Sequence, residues 1–439
     1  MRITASDAAA CTNGELVGAD AVADGIIFDS RAVVPGLAFV AIVAGRDGHD
    51  FVADAVAAGA PFAVVGRGRS VPGVTCVEVD DTETAVARIG AMCRDRLRAT
   101  AAGRIIGVTG SAGKTSTKDM VLAVLRAHWP GAHGAHLSFN NDLGVPVTLA
   151  NAPDGCPAVV VEMGMRGHGE ISRLCEISRP DVGVVTVVGD AHSERVGGIE
   201  GVATAKAELV AALPAGGTAV LNADDPRVSA MRARTGARVL TFGSSPSADV
   251  VFRTLSVAGD GRHTVEIAHA GSARTVTVPL PGEHMARNAS GAVAAGLAVG
   301  VPFAVAVDAI ANVTTAPGRM QWVAAPDGTR ILDDSYNANS ASVEAALRTL
   351  ATTDATRRIA VLGVMAEVEE PGPAHARIAH LAAELGIELV AFGTDMFGVP
   401  PCDEAGAVAA IGNRGEGLVV LVKGSRAART ERVVAALNR

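Results

Sequence analysis

The chain has 439 residues, 49% of them hydrophobic and 3% aromatic, with a formal net charge of −8. That length exceeds one core and suits about three domains of ~150 residues each. The acidic balance argues against a general nucleic-acid binder, and no run reaches the ~20 apolar residues of a membrane span.

The N-terminus shows no basic segment followed by a long apolar core, so a cytoplasmic location is expected. The six cysteines, Cys11, Cys76, Cys93, Cys156, Cys175 and Cys402, are scattered and form no C-x-x-C pair. Reduced, incidental thiols fit that spacing better than a disulfide framework or a zinc site.

An α/β organisation is expected throughout. In the first hundred residues, short apolar runs (Gly25–Phe28, Leu37–Ile42, Phe62–Val65 and Val74–Val79) alternate with turns. A helical pattern from Thr82 to Leu97 follows, and Ala99 to Gly103 reads as a linker. Strands are then expected at Ile105–Thr109, Val159–Met163, Val182–Val188, Gly217–Leu221 and Val239–Phe242. Their dense Val and Ile content suits a parallel sheet buried on both faces. Between Ala248 and Leu280 alternating segments with a turn at Gly259–Gly261 predict a small antiparallel patch. An alanine-rich helix over Ala286–Val299 comes next. From Pro317 onward, strands at Ile331–Asp333, Arg358–Gly363, Leu389–Gly393 and Leu418–Lys423 alternate with helices, the spacing of a second doubly wound sheet.

The segment Gly110-Ser111-Ala112-Gly113-Lys114-Thr115-Ser116 leaves an apolar strand and enters a helix. Gly110 and Gly113 let backbone N–H groups turn onto a polyphosphate. Lys114 adds a point charge, and Thr115 offers a hydroxyl to Mg²⁺. The loop is shorter than the strict phosphate-binding pattern, since Val108 stands where an earlier glycine would be. A plain strand-to-helix turn would need neither the lysine nor the threonine.

Other polar groups sit at expected strand ends, the binding edge of such sheets. Glu162 ends the run Val159–Val161 and is a candidate Mg²⁺ ligand. His192 follows the next strand and is a second candidate, although a lone histidine is more often structural. Lys206 lies on a predicted helix beside Glu208, and spacing alone makes it solvent-facing. Asp333 to Ser340 and Lys423 to Arg426 each leave an apolar strand and precede a helix. Asn339 or Ser340 could also serve as a plain helix cap.

Together these pieces resemble the Mur ligase family, ATP-dependent amide-forming enzymes of peptidoglycan synthesis. The resemblance runs from residue 26 to 435. It is carried by Asp29-Ser30-Arg31, Pro35 to Ala41, Asp47 to Phe51, Asn140 to Pro146, Asp333 to Asn339, and Lys423 to Arg426. The short phosphate loop is similar to the family's own form.

The resemblance implies three domains: a small α/β UDP-binding domain over 1–100, a P-loop mononucleotide-binding domain over 101–315, and a Rossmann-like ligase domain over 316–439. It implies ATP as a substrate and two Mg²⁺ ions, with Thr115, Glu162, His192 and a carbamylated Lys206 as ligands. Lys114, Lys206, His192 and Arg319 would be catalytic. Asn288 would meet the adenine, and Arg319 and Asp334 would reach ATP from the C-terminal domain. Ser30 and Arg31 would contact the UDP-sugar of a UDP-muramoyl-tripeptide, and Asn140 and Asn141 would be further substrate residues. Tyr336, Asn337, Asn339, Lys423 and Arg426 would serve D-alanyl-D-alanine. These partners are small molecules, and a monomer is expected, with neither nucleic acid nor membrane involved.

The chain departs from the family pattern at three places. Val364 replaces a usual Asp, Ser340 a common Pro, and Met285 a frequent Asn. Two alternatives stand beside this reading: another amide ligase of the fold with a different amino-acid substrate, and a nucleotide-regulated binding protein without ligase activity.

Overall fold

The computed structural model of the chain describes residues 1–101, 103–135, 138–189, 193–314, 316–366 and 368–439. It divides into two compact units. The first comprises Met1–Gly107, Trp129–Gly164 and Ile171–Asp181; the second comprises Val108–His128, Met165–Glu170 and Val182–Arg439.

The first unit is built on a five-stranded sheet in the order Glu15–Val17, Cys76–Val79, Ala63–Gly66, Leu37–Val40, Gly25–Ile27. The first pair is antiparallel and the others are parallel. Phe39, Val52, Val65 and Cys76 are buried on one face. The open edge at Gly25–Ile27 is occupied by a side chain. Asn151 Oδ1 accepts the Ile26 N–H at 2.8 Å and Asn151 Nδ2 donates to the Ile26 carbonyl at 3.1 Å. An amide carries the same donor and acceptor pair as a peptide group, so it completes the ladder there.

Asp81 starts the helix Thr82–Ala101 by accepting the Glu83 N–H at 3.0 Å. This helix packs on Gly144–Ala150 at Gly90, where a Cβ would lie 2.3 Å from Pro146 Cβ. The expected linker is therefore partly helix: Ala99, Thr100 and Ala101 continue it. Alanine is the best helix former, and Thr100 returns its hydroxyl to the Arg96 carbonyl at 2.8 Å. The Gly103 N–H closes the end on the Leu97 carbonyl.

The second unit holds a parallel run, Val182–Val185, Thr218–Asn222, Arg238–Gly243, then Val250–Val257. The last of these turns into the expected antiparallel patch with Arg262–His269 and Ser272–Pro281. The helix Glu283–Ala298 is rich in Ala and Gly because it packs closely on both sides. A Cβ at Gly291 would lie 3.0 Å from the Phe242 ring, and one at Gly296 would lie 2.5 Å from Val124.

The rest of the second unit carries a six-stranded sheet in the order Gln321–Ala324, Arg330–Asp334, Leu418–Lys423, Arg357–Gly363, Glu388–Phe392, Pro401–Cys402. All but the first pair run parallel. Ile331, Ile359, Val361, Val420 and Val422 form its core, each side chain contributing roughly 1.5–3 kcal/mol by leaving water. The edge strands Gln321–Ala324 and Pro401–Cys402 are additions to the expected set. Both are too short and mixed in character to show a period. The class is α/β with mostly parallel sheets and one antiparallel patch, as expected. Among the described residues no helix is long and apolar enough to cross a membrane.

Candidate functional site

The phosphate loop joins the strand Arg104–Thr109 to the helix Lys114–His128. Gly110 and Gly113 both adopt positive φ, 150° and 79°. The space around them also excludes a side chain. A Cβ at Gly110 would meet Thr186 Oγ1 at 1.9 Å, and one at Gly113 would meet Asn288 Oδ1 at 3.0 Å. Thr186 binds the loop from behind, donating to the Ala112 carbonyl at 2.6 Å. Asn222 Nδ2 in turn donates to the Thr186 carbonyl at 2.7 Å. Ser111 ties the loop to the next strand end: its hydroxyl accepts the Gly189 N–H at 2.8 Å. The loop is thus held in a fixed curve by neighbouring elements, as an anion cradle requires.

Lys114 is the first residue of its helix, and its Nζ donates to the Gly110 carbonyl at 2.7 Å. Thr115 and Ser116 are buried in the first turn. Asn288, the expected adenine contact, packs against Gly113 and reaches the Met285 sulfur at 3.9 Å.

Lys206 overturns its solvent-facing reading. It lies on the helix Gly198–Ala211 and is only 3% exposed. Burial, and then the positive charge of Lys114, push its ammonium well below its ordinary range. Glu208, which spacing makes its surface partner, instead accepts the Gly169 N–H at 2.7 Å. The signal that finds it is the stripe Glu200, Thr204 and Glu208, four residues apart on the outer face, with Lys206 off that stripe.

In the same unit, the C-terminal clusters form one polar network. Lys423, at the end of its strand, donates to Asp334 Oδ2 at 2.5 Å and to the Asn337 carbonyl at 2.8 Å. Its side chain is 3% exposed. Asp334 Oδ1 accepts the Met320 N–H at 3.2 Å. The Tyr336 ring lies between two guanidinium groups, Arg319 at 4.2 Å and Arg426 at 5.8 Å from its centroid. Asn339 caps the helix Ser340–Thr352 through a capping box with Ser342. Its Nδ2 also donates to the Ser111 carbonyl at 3.1 Å. The cap reading holds, and the same side chain also reaches the phosphate loop.

Two of the departures from the family pattern are absorbed locally, whereas the Ser340 hydroxyl is buried without a hydrogen-bond partner. The Val364 carbonyl accepts the Ser425 N–H at 2.9 Å, a backbone contact indifferent to the side chain. Met285 and Ser340 are buried. Sequence context does not single out His284. Burial, with the cations Arg287 and Lys423, holds its imidazole down to about 3.

In the first unit, Glu162 ends the strand Ala158–Glu162 and is 1% exposed. Asn140 Nδ2 donates to Glu162 Oε1 at 2.9 Å, and the Asn140 carbonyl accepts the Gly164 N–H at 2.7 Å. Asn141 acts differently. Its Oδ1 accepts the Gly144 N–H at 2.9 Å and opens the helix Gly144–Ala150. Ser30 and Arg31 lie in a short 3₁₀ turn capped by Asp29. Arg31 grips the Asp29 carboxylate at 2.9 and 2.8 Å and lowers its pKa. His192 lies outside the described residues. Among the described residues no set of three His, Cys, Asp or Glu side chains converges to hold a metal.

Two family models match. One is the Mur ligase middle domain over residues 108–296, the other the Mur ligase glutamate ligase domain over 318–426. UDP-N-acetylmuramoyl-tripeptide–D-alanyl-D-alanine ligase from Escherichia coli is 33% identical, covering 100% of this chain and 99% of that protein. The chain belongs to the Mur ligase family. The Mycobacterium bovis protein of the same name is 40% identical over 84% of this chain and 77% of its own length. A crystal structure of MurF from Acinetobacter baumannii superposes with a TM-score of 0.87 at 27% identity, covering 100% and 99% of the two chains.

Within this Mur ligase, the middle-domain match spans the phosphate loop, Glu162, Lys206 and Asn288. The ligase-domain match spans Arg319, Asp334, Tyr336, Lys423 and Arg426. Ser30 and Arg31 fall outside both matches. Sequence reasoning missed Thr186 and Asn222, whose contacts are tertiary and leave no local motif.

Proposed function

We propose that this Mur ligase joins D-alanyl-D-alanine to UDP-N-acetylmuramoyl-tripeptide, converting ATP to ADP and phosphate. The observation that carries the reading is the single unit holding both a braced phosphate loop and the Tyr336, Arg319 and Arg426 cluster, with Asn339 bonded to the loop from the helix that follows Tyr336. Full-length similarity to proteins bearing that ligase name supports the substrate pair.

A carboxylate resists attack by an amine in water. The tripeptide's terminal carboxylate oxygen attacks the γ-phosphorus of ATP, and ADP leaves. The dipeptide's neutral amine then attacks the acyl carbon. The tetrahedral adduct loses a proton and expels phosphate, leaving the amide. The protein aligns anions and offsets their charge. Lys114 exchanges the Gly110 carbonyl for the phosphates. Arg319 stabilises the transferring phosphoryl group. Arg426 binds the dipeptide carboxylate, which suits a planar guanidinium. Ser30 and Arg31 form the UDP platform, Asn288 meets the adenine, and Asn140 orients Glu162.

Mg²⁺ suits hard oxygen donors. Buried Glu162, oriented by an amide, is such a donor, and Thr115 supplies a hydroxyl. With His192 and Lys206 they are the proposed ligands, and the bound ions would neutralise phosphate charge. Lys206 joins them as a carbamate. Burial favours its neutral amine, which would attack CO₂ and lose a proton to become a carboxylate-like anion.

The domains are proposed as 1–100, 101–315 and 316–439, closing about hinges near 100 and 316 to exclude water. The enzyme is proposed to act as a cytoplasmic monomer. A panel of UDP-linked peptides and acceptor amines, scored by the mass of the amide product, tests the assignment. Phosphate release that needs all three substrates supports it. Preference for a single amino acid over the dipeptide would overturn the branch.

A further inference from the structure

Four residues beyond Thr115, on the same face of its helix, stand a buried ion pair and a backbone anchor. Lys118 Nζ lies 2.6 Å from Asp119 Oδ1, with the two side chains 0% and 10% exposed. Asp119 Oδ2 accepts the Ala316 N–H at 3.2 Å. The chain then turns sharply: Gly318 has φ 73° and Met320, which is not a glycine, has φ 51°. Such a backbone costs on the order of 1 kcal/mol and persists only where its surroundings hold it. The far end is held by Asp334, which accepts the Met320 N–H at 3.2 Å. Arg319 sits at the middle, stacked on Tyr336. Two carboxylates from separate elements therefore anchor one turn, and the side chain at its apex is the arginine assigned to ATP.

We propose that Asp119 is a positioning residue for Arg319, holding the Ala316 end of its turn from the helix that carries Thr115. Nucleotide filling the phosphate loop then meets an arginine whose base is fixed to that same helix. Burial raises the Asp119 carboxyl, while the charges of Lys118 and then Arg319 oppose that rise. The two cations thus favour the carboxylate form that accepts the Ala316 amide. The proposal rests on the reading of Arg319 as an ATP-reaching residue. A misplacement of ~1 Å in such a group can cost 10²-fold in rate.

The test is a double-mutant cycle on the full-length enzyme with Asp119→Asn and Arg319→Lys, read by kcat, by KM for ATP and for the dipeptide, and by thermal midpoint. In Asp119→Asn the single amide oxygen is drawn to the Lys118 ammonium, which turns the NH2 toward the Ala316 N–H and removes that acceptor. The kcat is therefore expected to fall by ~10-fold or more in the wild-type background and by less than ~2-fold beside Arg319→Lys. Asp119→Glu should restore part of the loss, and KM for the dipeptide should stay unchanged. Should Asp119→Asn fail to fold, the paired change Lys118→Met with Asp119→Leu removes both charges at similar volume and should fold, with the same loss of kcat. Full kcat in a folded Asp119 variant, or additive losses in the cycle, would overturn the proposal. If Arg319→Lys alone retains full turnover, the reading of Arg319 falls with it. If Arg319→Lys is defective while Asp119→Asn is silent, only the role of Asp119 falls.

Discussion

The side-chain amide of Asn339 donates to the Ser111 carbonyl at 3.1 Å while its Oδ1 accepts the Ser342 N–H at 2.9 Å. One residue therefore starts a helix and braces the phosphate loop. The two roles use different atoms and can be separated. Asn339→Ser keeps an acceptor for Ser342, with a side chain too short to reach Ser111. It should unfold close to the wild-type midpoint and raise KM for ATP several-fold. Asn339→Ala loses the cap as well and should cost about 1–2 kcal/mol of stability in addition. Denaturant titration and ATP-dependent kinetics of both variants decide this.

Lys206 is predicted to need CO₂. Enzyme stripped of CO₂ should lose turnover and regain it with bicarbonate. ¹³C-bicarbonate should give a carbamate resonance that is absent from Lys206→Met. Lys206→Met should be inactive and indifferent to bicarbonate.

The unmodified lysine also has a pH signature. Its folded pKa lies well below 10.5, so the unfolded chain binds the extra proton between the two values. Stability should therefore fall as pH drops from 10.5 through that window. Lys206→Met should flatten the slope and, without nucleotide or CO₂, raise the thermal midpoint at neutral pH.

His284 should shape acid unfolding. Its folded pKa is about 3 against an ordinary 6.5. The unfolded imidazole takes its proton first as pH falls, and the folded state loses ground from about 6.5 down to about 3. His284→Gln should unfold in urea with a smaller drop in midpoint between pH 7 and 4. An unchanged drop would assign the acid sensitivity to other groups.

Arg426 is predicted to choose the acceptor. Its side chain is 69% exposed and lies 3.5 Å from Glu431, so a ligand carboxylate can reach it. Arg426→Lys keeps the charge but loses the planar fork. KM for the dipeptide should rise at least tenfold, with KM for ATP within about twofold. Equal losses for both substrates would make Arg426 structural.

Much of the parallel framework is legible because Val-rich runs such as Val159–Val161 and Leu418–Val422, bounded by turn residues, suit strands buried on both faces. The phosphate loop is legible because its chemistry is local. Lys206 is legible only indirectly: its neighbour Glu208 suggests a surface pair, whereas the stripe Glu200, Thr204, Glu208 marks the outer face of the helix and leaves Lys206 off it. The contacts of Thr186 with the loop, of Asn222 with Thr186, and of Asp119 with Ala316 join residues far apart in the chain. No window of sequence contains both partners. The helix Thr82–Ala101 outruns its sequence expectation because Ala99-Thr100-Ala101 has the small-residue look of a linker, although alanine propagates helix.

The chain contains a single tyrosine, and it is Tyr336, the ring between Arg319 and Arg426. Biosynthetic incorporation of a singly fluorinated tyrosine would therefore place one ¹⁹F nucleus in the protein. Its chemical shift would follow the departure of either guanidinium as ATP or dipeptide binds, with no substitution in the sequence and no competing signal.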